Sequence, residues 1–249
     1  MSDFMKKFSL KGKVVVVTGG AGLLGSEIVN VVQETGGKPI IWDINLEKAV
    51  KNVESFQINI SDKTQVLASV EKIGIIDVLV NNAAYNPQPN DSDSIFEDYS
   101  LENWQNELDV GLTGAMVCSQ IVGAQMAKNG KGVIVNISSD LGLIAPDQRI
   151  YYGYKKPISY SVIKHGLIGL TKYLATYWAE QGVRVNAFCP GGIYNGQDKD
   201  FVEKLVRLIP LGRMANLEEY REALLFLMSD ASSYMTGSNF VMDGGRTCW

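Results

Sequence analysis

Short runs of β-branched and apolar residues alternate with helical patterns along the whole chain, and this alternation most restricts its fold. The predicted strands are 14–18, 39–43, 56–60, 78–82, 132–138, 183–188 and 240–242. The predicted helices between them are 26–35, 62–72, 104–128, 160–181 and 217–228. Nearly continuous apolar strands are typical of parallel sheets that are covered on both faces. The sequence therefore predicts an α/β fold, a doubly wound (Rossmann) parallel seven-stranded sheet with helices on both faces.

Length and composition indicate one cytoplasmic domain. A chain of 249 residues is within the range of one large α/β domain, so we expect a single domain over residues 1–249. A net charge of -4 gives no sign of the concentrated basic face of a nucleic-acid-binding protein. No apolar run approaches the ~20 residues of a membrane span, and the first residues do not resemble a secretory signal. The three widely spaced cysteines predict neither disulfides nor a metal site.

A glycine-rich turn connects the first predicted strand to the first helix. Its sequence is Thr18-Gly19-Gly20-Ala21-Gly22-Leu23-Leu24-Gly25. Glycines at such a place let the chain turn tightly and let backbone N–H groups approach a pyrophosphate at the helix N-terminus. Glycine also serves ordinary turns, but the position between a strand and a helix favours a dinucleotide site. The candidate cofactor-binding residues here are Gly19, Gly22, Leu24 and Gly25.

Asp43 ends the second predicted strand, 18 residues after Gly25. A carboxylate at this place accepts hydrogen bonds from the ribose 2′-hydroxyl of NAD and repels the 2′-phosphate of NADP. No Arg or Lys lies in the glycine turn to attract that phosphate. Asp43 could instead cap a loop, as Asp often does. The glycine turn favours the first explanation, and NAD is the predicted cofactor.

Further motifs lie at the ends of other predicted strands. They are Asn59-Ile60-Ser61-Asp62, Asn81-Asn82-Ala83-Ala84 and Pro190-Gly191-Gly192-Ile193. With the glycine turn, they make the chain resemble the single-domain branch of the short-chain dehydrogenase/reductase family over nearly its whole length. The resemblance implies that Asn59 and Ile60 hold the adenine. It also places Asn82 and Ala83 in the cofactor site, and the backbone of Ile193 against the nicotinamide carboxamide.

The same resemblance implies a Ser–Tyr–Lys active site. A free tyrosine has a pKa of about 10, and a nearby ammonium shifts it towards neutral pH. The sequence has three Tyr-x-x-x-Lys matches: Tyr151/Lys155, Tyr152/Lys156 and Tyr160/Lys164. Pro157 excludes the first two from a helix, because a residue before proline avoids helical geometry. Tyr160 and Lys164 open a long amphipathic helix, project from one face, and are predicted both to catalyse and to bind the cofactor.

Two departures from the family pattern concern the predicted active site. The predicted serine, Ser139, lies 21 residues before Tyr160, against roughly thirteen in most relatives, and an insertion of about eight residues in a surface loop explains the difference. Relatives usually have an asparagine, which supports a proton-relay water, where this chain has Gly111. A second water or a backbone carbonyl is one replacement, and close helix packing is the other explanation of this glycine. His165, the one histidine, is predicted to be a packing or surface residue.

The inserted loop over residues 141–159 suggests the substrate. It is rich in basic and aromatic residues, namely Arg149, Tyr151, Tyr152, Tyr154, Lys155 and Lys156. Such residues could clamp an anionic, hydroxylated ligand, or they could form a solvated face or a subunit contact. The segment after Pro190-Gly191 is short and polar, which favours a polar substrate over a steroid-like one. The loop and the C-terminus also resemble relatives in bacterial surface-glycan and flagellin-modification pathways.

The leading prediction is an NAD-dependent dehydrogenase/reductase that transfers a hydride between nicotinamide and a secondary alcohol or ketone, on a polar, sugar-like or phosphorylated substrate. A sugar-modifying epimerase or dehydratase with retained NAD is an alternative, because the TGxxGxxG spacing is closer to the family's sugar-nucleotide branch. An NAD-binding module that has lost catalysis is another, because of Gly111. The family further implies a homo-oligomer, a tetramer or a dimer.

Overall fold

A seven-stranded parallel sheet forms the centre of the molecule. The computed structural model describes residues 2–85, 95–151 and 153–249. The strands are β1 Val14–Thr18, β2 Lys38–Asp43, β3 Glu54–Gln57, β4 Val78–Asn81, β5 Gly132–Ile137, β6 Val183–Pro190 and β7 Asn239–Met242. They lie in the order β3-β2-β1-β4-β5-β6-β7, and every neighbouring pair is parallel. The predicted doubly wound α/β fold is confirmed.

Helices cover both faces of the sheet. In the described residues they are α1 Asp3–Lys6, α2 Leu23–Glu34, α3 Lys63–Ile73, α4 Leu101–Leu108, α5 Gly114–Lys128, α6 Ile158–Tyr177, α7 Lys199–Val206 and α8 Arg221–Met228. The helices α2 and α8 share one apolar core with the sheet, and α3, α5 and α6 share the other. Both sheet faces are therefore buried.

The alternation of side chains along β1 shows why its sequence is apolar throughout. Val15 and Val17 pack in the core under α2 and α8, and Val16 packs in the core under α3, α5 and α6. All three are fully buried. Successive side chains of a strand point to opposite faces, so a strand covered on both sides needs an unbroken apolar run.

One long helical stretch, Leu101–Lys128, is apolar enough by length and composition to cross a membrane. It consists of α4, a π-helical turn at Asp109–Thr113, and α5. Half of the most apolar 18-residue segment of this stretch is buried inside the protein. Its apolar residues pack on β4, β5 and α3, and α4 packs on α6. The composition of this stretch is therefore that of a helix in the core.

The main difference from the sequence prediction is α7. The segment after Pro190 is short and polar by its sequence, but residues Lys199–Val206 form a helix. The side chain of Asp198 caps this helix by accepting hydrogen bonds from two of its first backbone N–H groups. Leu205 is buried in a small apolar cluster with Ile150 from the inserted loop. This part of the chain therefore adds an apolar wall next to the sheet.

The sheet places the motifs at one edge. After β3 the chain crosses over β1 and continues at β4, so the connections that follow β1 and β4 diverge. Ligands of open α/β sheets bind in the crevice that this reversal leaves beyond the carboxyl ends of the strands. The segments after β1, β2, β4, β5 and β6 all reach this edge.

Candidate active site

A cleft of about 1110 Å³ opens at the carboxyl edge of the sheet. It brings together residues that are distant in the sequence. The predicted site residues that line it are Gly19, Gly22, Leu24, Asp43, Asn59, Ile60, Asn82, Ala83, Ser139, Tyr160, Lys164 and Ile193. Gly25 does not line it and lies instead beneath the glycine turn. A volume of this size can hold a dinucleotide together with a small substrate.

The glycine turn packs so closely that side chains are excluded at two positions. Gly19 has a φ of +63°, and a Cβ there would lie 2.8 Å from the Cα of Ala83. A Cβ on Gly25 would lie 2.1 Å from the carbonyl oxygen of Gly19. The backbone after β1 is therefore open to a ligand at the N-terminus of α2, where free N–H groups and the helix dipole favour a phosphate. These residues fit a dinucleotide.

Hydrogen bonds from the segment after β4 hold the glycine turn in place. The side-chain amide of Asn82 donates to the carbonyl oxygens of Thr18 and Gly19, each at 3.0 Å. The Thr18 hydroxyl accepts from the backbone N–H groups of Asn82 and Ala83, also at 3.0 Å. Asn82 and Ala83 thus shape the wall of the cofactor end.

Asp43 lies where β2 meets the glycine turn. One carboxylate oxygen accepts the backbone N–H of Ala21 at 3.0 Å, and the other accepts that of Asn45 at 3.1 Å. The carboxylate is thereby fixed at the cleft wall and keeps further lone pairs for a ligand hydroxyl. Lys48, an exposed residue that the sequence analysis did not single out, lines the same end.

The Asn59–Ile60 motif forms the next part of this wall. The Asn59 side-chain oxygen accepts from the backbone N–H and the hydroxyl of Ser61, at 3.1 and 2.8 Å. Ile60 is buried and packs against Gly114 at the start of α5. The turn is thus held by its own side chains, and an apolar residue lies beside it.

Tyr160 and Lys164 lie in the first two turns of α6, which begins at Ile158 directly after Pro157. The Lys164 ammonium donates to the carbonyl oxygen of Ile137 at 2.8 Å. The Ser138 hydroxyl donates to the carbonyl oxygen of Lys164 at 2.7 Å. The end of β5 and the start of α6 are therefore joined through Lys164.

Ser139 is linked to the C-terminal segment through a buried ion pair. Its hydroxyl donates to a carboxylate oxygen of Asp140 at 2.7 Å. The other oxygen of Asp140 pairs with Arg246 at 2.8 Å, and the two side chains are 4% and 6% exposed. Neither Asp140 nor Arg246 is a residue that the sequence analysis assigns to the site. The two residues are 106 positions apart in the sequence, and no local pattern indicates that they pair.

Burial changes the acidities of the Tyr160 and Lys164 side chains. Burial raises the pKa of Tyr160 above its ordinary value, and a hydrogen bond with Ser139 partly opposes this. Burial also lowers the pKa of Lys164 to about 8, with the neighbouring charge of Lys156 acting in the same direction. A desolvated phenol and a desolvated ammonium side by side form a pair whose charges depend strongly on what binds next to them.

Lys156 belongs to this cluster, although the sequence analysis excludes it from the catalytic pair. Its ammonium lies 3.9 Å from the centroid of the Tyr160 ring, closer than that of Lys164 at 5.6 Å. It lies outside α6, as predicted, but the loop turns it into the cleft. Burial lowers its pKa to about 8.

The other basic and aromatic residues of the inserted loop have different surroundings. Arg149 is exposed and forms a bidentate pair with Asp147, at 2.8 and 2.7 Å. Tyr151 lines the cleft and Lys155 is exposed. Tyr152 lies outside the described residues. The predicted basic clamp thus reduces, in the described loop, to one lysine that faces the cleft.

Gly111 lies in the π-helical turn between α4 and α5 and is buried. A Cβ at this position would lie 2.8 Å from the Cγ2 atom of Ile163 on α6. The glycine therefore allows close helix packing, which is one of the two explanations given above. His165 is exposed on α6, where its Nδ1 contacts the carbonyl oxygen of Ser161 at 2.9 Å.

Apolar residues also line the cleft and form an apolar wall. It contains Phe201 and Leu205 of α7 and Met214.

In residues 2–85, 95–151 and 153–249, no group of three or more His, Cys, Asp and Glu side chains could hold a metal ion.

Comparison with known proteins agrees with this geometry. The family model described as Enoyl-(Acyl carrier protein) reductase matches residues 20–247. The chain belongs to the short-chain dehydrogenase/reductase family. Within this family, a D-threitol dehydrogenase from Mycolicibacterium smegmatis is 32% identical over 259 residues, covering 96% of this chain and 95% of that protein.

Two solved structures are also similar, the first of them a short-chain dehydrogenase. One, from Leptospira borgpetersenii with bound NAD+, has a TM-score of 0.89 at 33% identity and covers 99% of this chain and 96% of its own. The other is a gluconate 5-dehydrogenase from Burkholderia cenocepacia in complex with NADP and tartrate. It has a TM-score of 0.86 at 26% identity and covers 98% of each chain. This short-chain dehydrogenase/reductase is accordingly an NAD(P)-dependent oxidoreductase that acts on hydroxyl groups.

Proposed function

We propose that this single-domain protein, over residues 1–249, oxidises the secondary alcohol of a polar, sugar-like substrate with NAD, and reduces the corresponding ketone. The observation that carries the proposal is the joint position of Ser139, Tyr160 and Lys164 in the cleft that also contains Asp43. Ser139 follows β5 by two residues, and the Lys164 ammonium is hydrogen-bonded to Ile137, the last residue of that strand. Proton transfer and cofactor binding can therefore occur in one cavity.

In the proposed reaction, the Tyr160 phenolate takes the proton from the substrate hydroxyl. The Ser139 hydroxyl turns from Asp140 to the substrate oxygen and holds it beside the phenol. Lys164 stabilises the phenolate through its charge and donates to the ribose of the cofactor. Bound NAD+ supplies the hydride acceptor and a positive charge close to the phenol. One C–H and one O–H bond of the alcohol break, which gives a ketone, a hydride equivalent and a proton.

Asp43 supports NAD as the preferred cofactor. Two backbone N–H groups hold its carboxylate at the end of β2, where a ribose 2′-hydroxyl can donate to it and a 2′-phosphate is repelled. The related structures contain NAD+ in one case and NADP in the other. Lys48, at the same end, is the residue that could attract a phosphate.

Charged side chains and the named activities of relatives support a polar substrate. Lys156 and the Asp140–Arg246 pair line the part of the cleft next to Tyr160. Two relatives are named for hydroxylated compounds, D-threitol and gluconate. The apolar wall at Phe201 and Leu205 would then contact the carbon chain of the substrate.

A substrate screen tests the proposal. Polyols, sugar acids, sugar phosphates and simple secondary alcohols are offered with NAD and NADP in parallel, and NADH formation is followed at about 340 nm. Net NADH formation that increases with alcohol concentration is expected, at a higher kcat/KM with NAD than with NADP. Product formation without net NADH would indicate an epimerase or dehydratase that retains its cofactor. Failure of every alcohol and ketone with both cofactors would contradict the proposal.

The exposed face of α6 supports the proposed homo-oligomer, a tetramer or a dimer. Tyr173 and Tyr177 stack with their ring centroids 5.8 Å apart, and each is more than three-fifths exposed. Aromatic rings of this kind are typical of protein interfaces. Light scattering of the wild-type chain should give a multimer, and Tyr173→Glu with Tyr177→Glu should give a smaller species. A monomeric wild type at micromolar concentration would contradict this.

A further inference from the structure

Lys156 is a half-buried cation that points into the cleft and has no ion-pair partner in the described part of the chain. Its ammonium lies over the face of the Tyr160 ring at 3.9 Å from the centroid. Its backbone N–H donates to the side chain of Gln148 at 2.9 Å, and Pro157 follows it directly. The loop therefore holds the lysine in this position.

The two carboxylates whose charges act on Lys156, those of Asp140 and Glu107, already have other partners. Asp140 pairs with Arg246 and accepts the hydroxyl of Ser139. Glu107, buried on α4, accepts hydrogen bonds from the hydroxyls of Tyr99 and Ser159. Both carboxylates act on Lys156 through their charge, but neither forms an ion pair with it. The cleft thus contains an ammonium that the surrounding protein leaves without a counter-ion.

Such an ammonium gains from a bound anion. Burial penalises its charge, and the second ammonium, that of Lys164, lies 5.6 Å from the centroid of the same Tyr160 ring and is a like charge. A negatively charged ligand would offset both effects. The remaining cations of the loop do not compete for it, because Arg149 is paired outside the cleft and Lys155 is exposed.

We infer that Lys156 binds a carboxylate of the substrate, so that the chain oxidises short hydroxy acids in preference to neutral polyols. The inference rests on the proposed function, because it concerns the same cleft. One ammonium matches a single negative charge, whereas phosphate recognition favours a bidentate guanidinium, and the guanidinium nearby belongs to Arg246, which Asp140 occupies. Since Lys156 lies on the ring of Tyr160, the carboxylate is a few bonds from the reacting carbon.

The carboxylate is a binding group and takes no part in the bond changes. The alcohol loses a hydride from carbon and a proton from oxygen, and the acid group leaves the cleft unchanged. Lys156 therefore determines which alcohols bind and in which orientation, while the acid–base chemistry stays with Tyr160.

A matched set of four-carbon compounds tests the inference. Erythronate, erythritol and erythritol 4-phosphate share a carbon chain and differ at one end, which carries a carboxylate, a hydroxymethyl group or a phosphate; the threo series is run alongside. With NAD at fixed ionic strength, wild-type kcat/KM is expected to be about 10- to 100-fold higher for the acid than for the polyol, the range for a hydrogen bond to a charged group. Lys156→Met should remove this difference without lowering the polyol value to a similar degree.

Two further variants separate binding from a general defect. Lys156→Arg keeps the charge and should retain much of the preference for the acid. Lys155→Met removes a neighbouring, exposed charge and should retain all of it. NAD affinity and Tm are measured for each variant, so that a misfolded protein is recognised. An equal loss on acid and polyol in Lys156→Met would show that the lysine only supports Tyr160, and would overturn the inference.

A binding measurement without turnover keeps this inference separate from the proposed function. Calorimetry of erythronate with the NADH complex, in which no hydride can be accepted, should give binding that Lys156→Met weakens at least about tenfold. If no alcohol is oxidised but this dependence is found, the proposed function fails and the carboxylate site stands. Erythronate binding that is independent of Lys156, or a Lys156-dependent preference for the phosphate, would overturn the carboxylate site.

Discussion

The two ends of the cleft are built in different ways. At the cofactor end, backbone groups and glycines make the surface, and Asn82 and Thr18 hold the turn with uncharged hydrogen bonds. At the substrate end, buried charged side chains lie beside the apolar wall of α7: the Asp140–Arg246 pair, Lys164 and Lys156. The first end depends on chain geometry, whereas the second depends on a balance of buried charges. Mutations at the two ends should therefore fail in different ways.

Removal of the Tyr160 hydroxyl should abolish acid–base catalysis at the substrate end and leave cofactor binding at the other end intact. The largest effect is expected here. Tyr160→Phe should lower kcat by about 10²- to 10⁴-fold, because positioned acid–base groups contribute this much. NAD affinity should change little, since the glycine turn and Asp43 are intact. Steady-state kinetics and NADH titration measure the two quantities. Tyr234→Phe, which removes the hydroxyl of an exposed tyrosine outside the cleft, is the control.

Loss of the buried ion pair should affect stability more than any exposed pair does. Arg246→Met leaves Asp140 charged, buried and unpaired, which should cost about 3–5 kcal/mol and lower Tm by about 10 °C or more. The double variant with Asp140→Asn should recover part of this loss. Arg149→Met, which breaks an exposed pair, should change Tm much less. Equal Tm values for Arg246→Met and Arg149→Met would contradict the view that charge balance holds the substrate end.

Substitution of Asp43 tests the cofactor end. Asp43→Asn removes the charge but keeps the shape, so the ratio of kcat/KM for NAD to that for NADP should fall by about 10- to 100-fold. Lys48 would then lie at this end without the opposing carboxylate and should favour the 2′-phosphate. Glu47→Gln, exposed on the same loop, is the matched control. An unchanged ratio would mean that Asp43 only supports the turn through Ala21.

The smallest effect is a pH dependence of substrate preference. Burial lowers the pKa of Lys156 to about 8, and the charges of Asp140 and Glu107 act in the opposite direction. Lys156 is charged below this pH, so the erythronate-to-erythritol ratio of kcat/KM should be flat there. It should fall by up to about tenfold per pH unit above it. Titration of Tyr160 affects both substrates and cancels in the ratio, whereas Lys164, whose pKa burial also lowers to about 8, can add to the fall.

Lys156→Arg is the control for this pH dependence. Its guanidinium stays charged throughout the range, so the fall caused by Lys156 should disappear, and any fall that remains measures the part of Lys164. A wild-type ratio that stays constant from about pH 6 to 10 would count against a role of Lys156 in carboxylate binding.

The sequence predicts the cofactor end more completely than the substrate end, and the physical reason is distance along the chain. The strands, the glycine turn and Asp43 follow from local patterns, and Pro157 correctly locates the start of α6. The position of Lys156 in the cleft depends on how the inserted loop folds, with the Lys156 backbone N–H bonded to the Gln148 side chain, and no local pattern shows this.

Two other features were missed for different reasons. The pairing of Asp140 with Arg246 joins segments 106 positions apart, so only the folded chain reveals it. The helix α7 was predictable, because Asp198 is a good N-cap and Phe201 and Leu205 have helical spacing. The polar residues that precede α7 make the whole segment look polar in composition, although its helical part is amphipathic.

The contact between Gly111 and Ile163 restricts how the sequence of this active site can change during evolution. An asparagine introduced at Gly111 alone would place its Cβ 2.8 Å from a methyl carbon of Ile163 inside a closely packed core. A smaller residue at position 163 would make room for this asparagine, but that change alone leaves a cavity. The two positions are therefore expected to vary together, each step being harmful unless the other accompanies it.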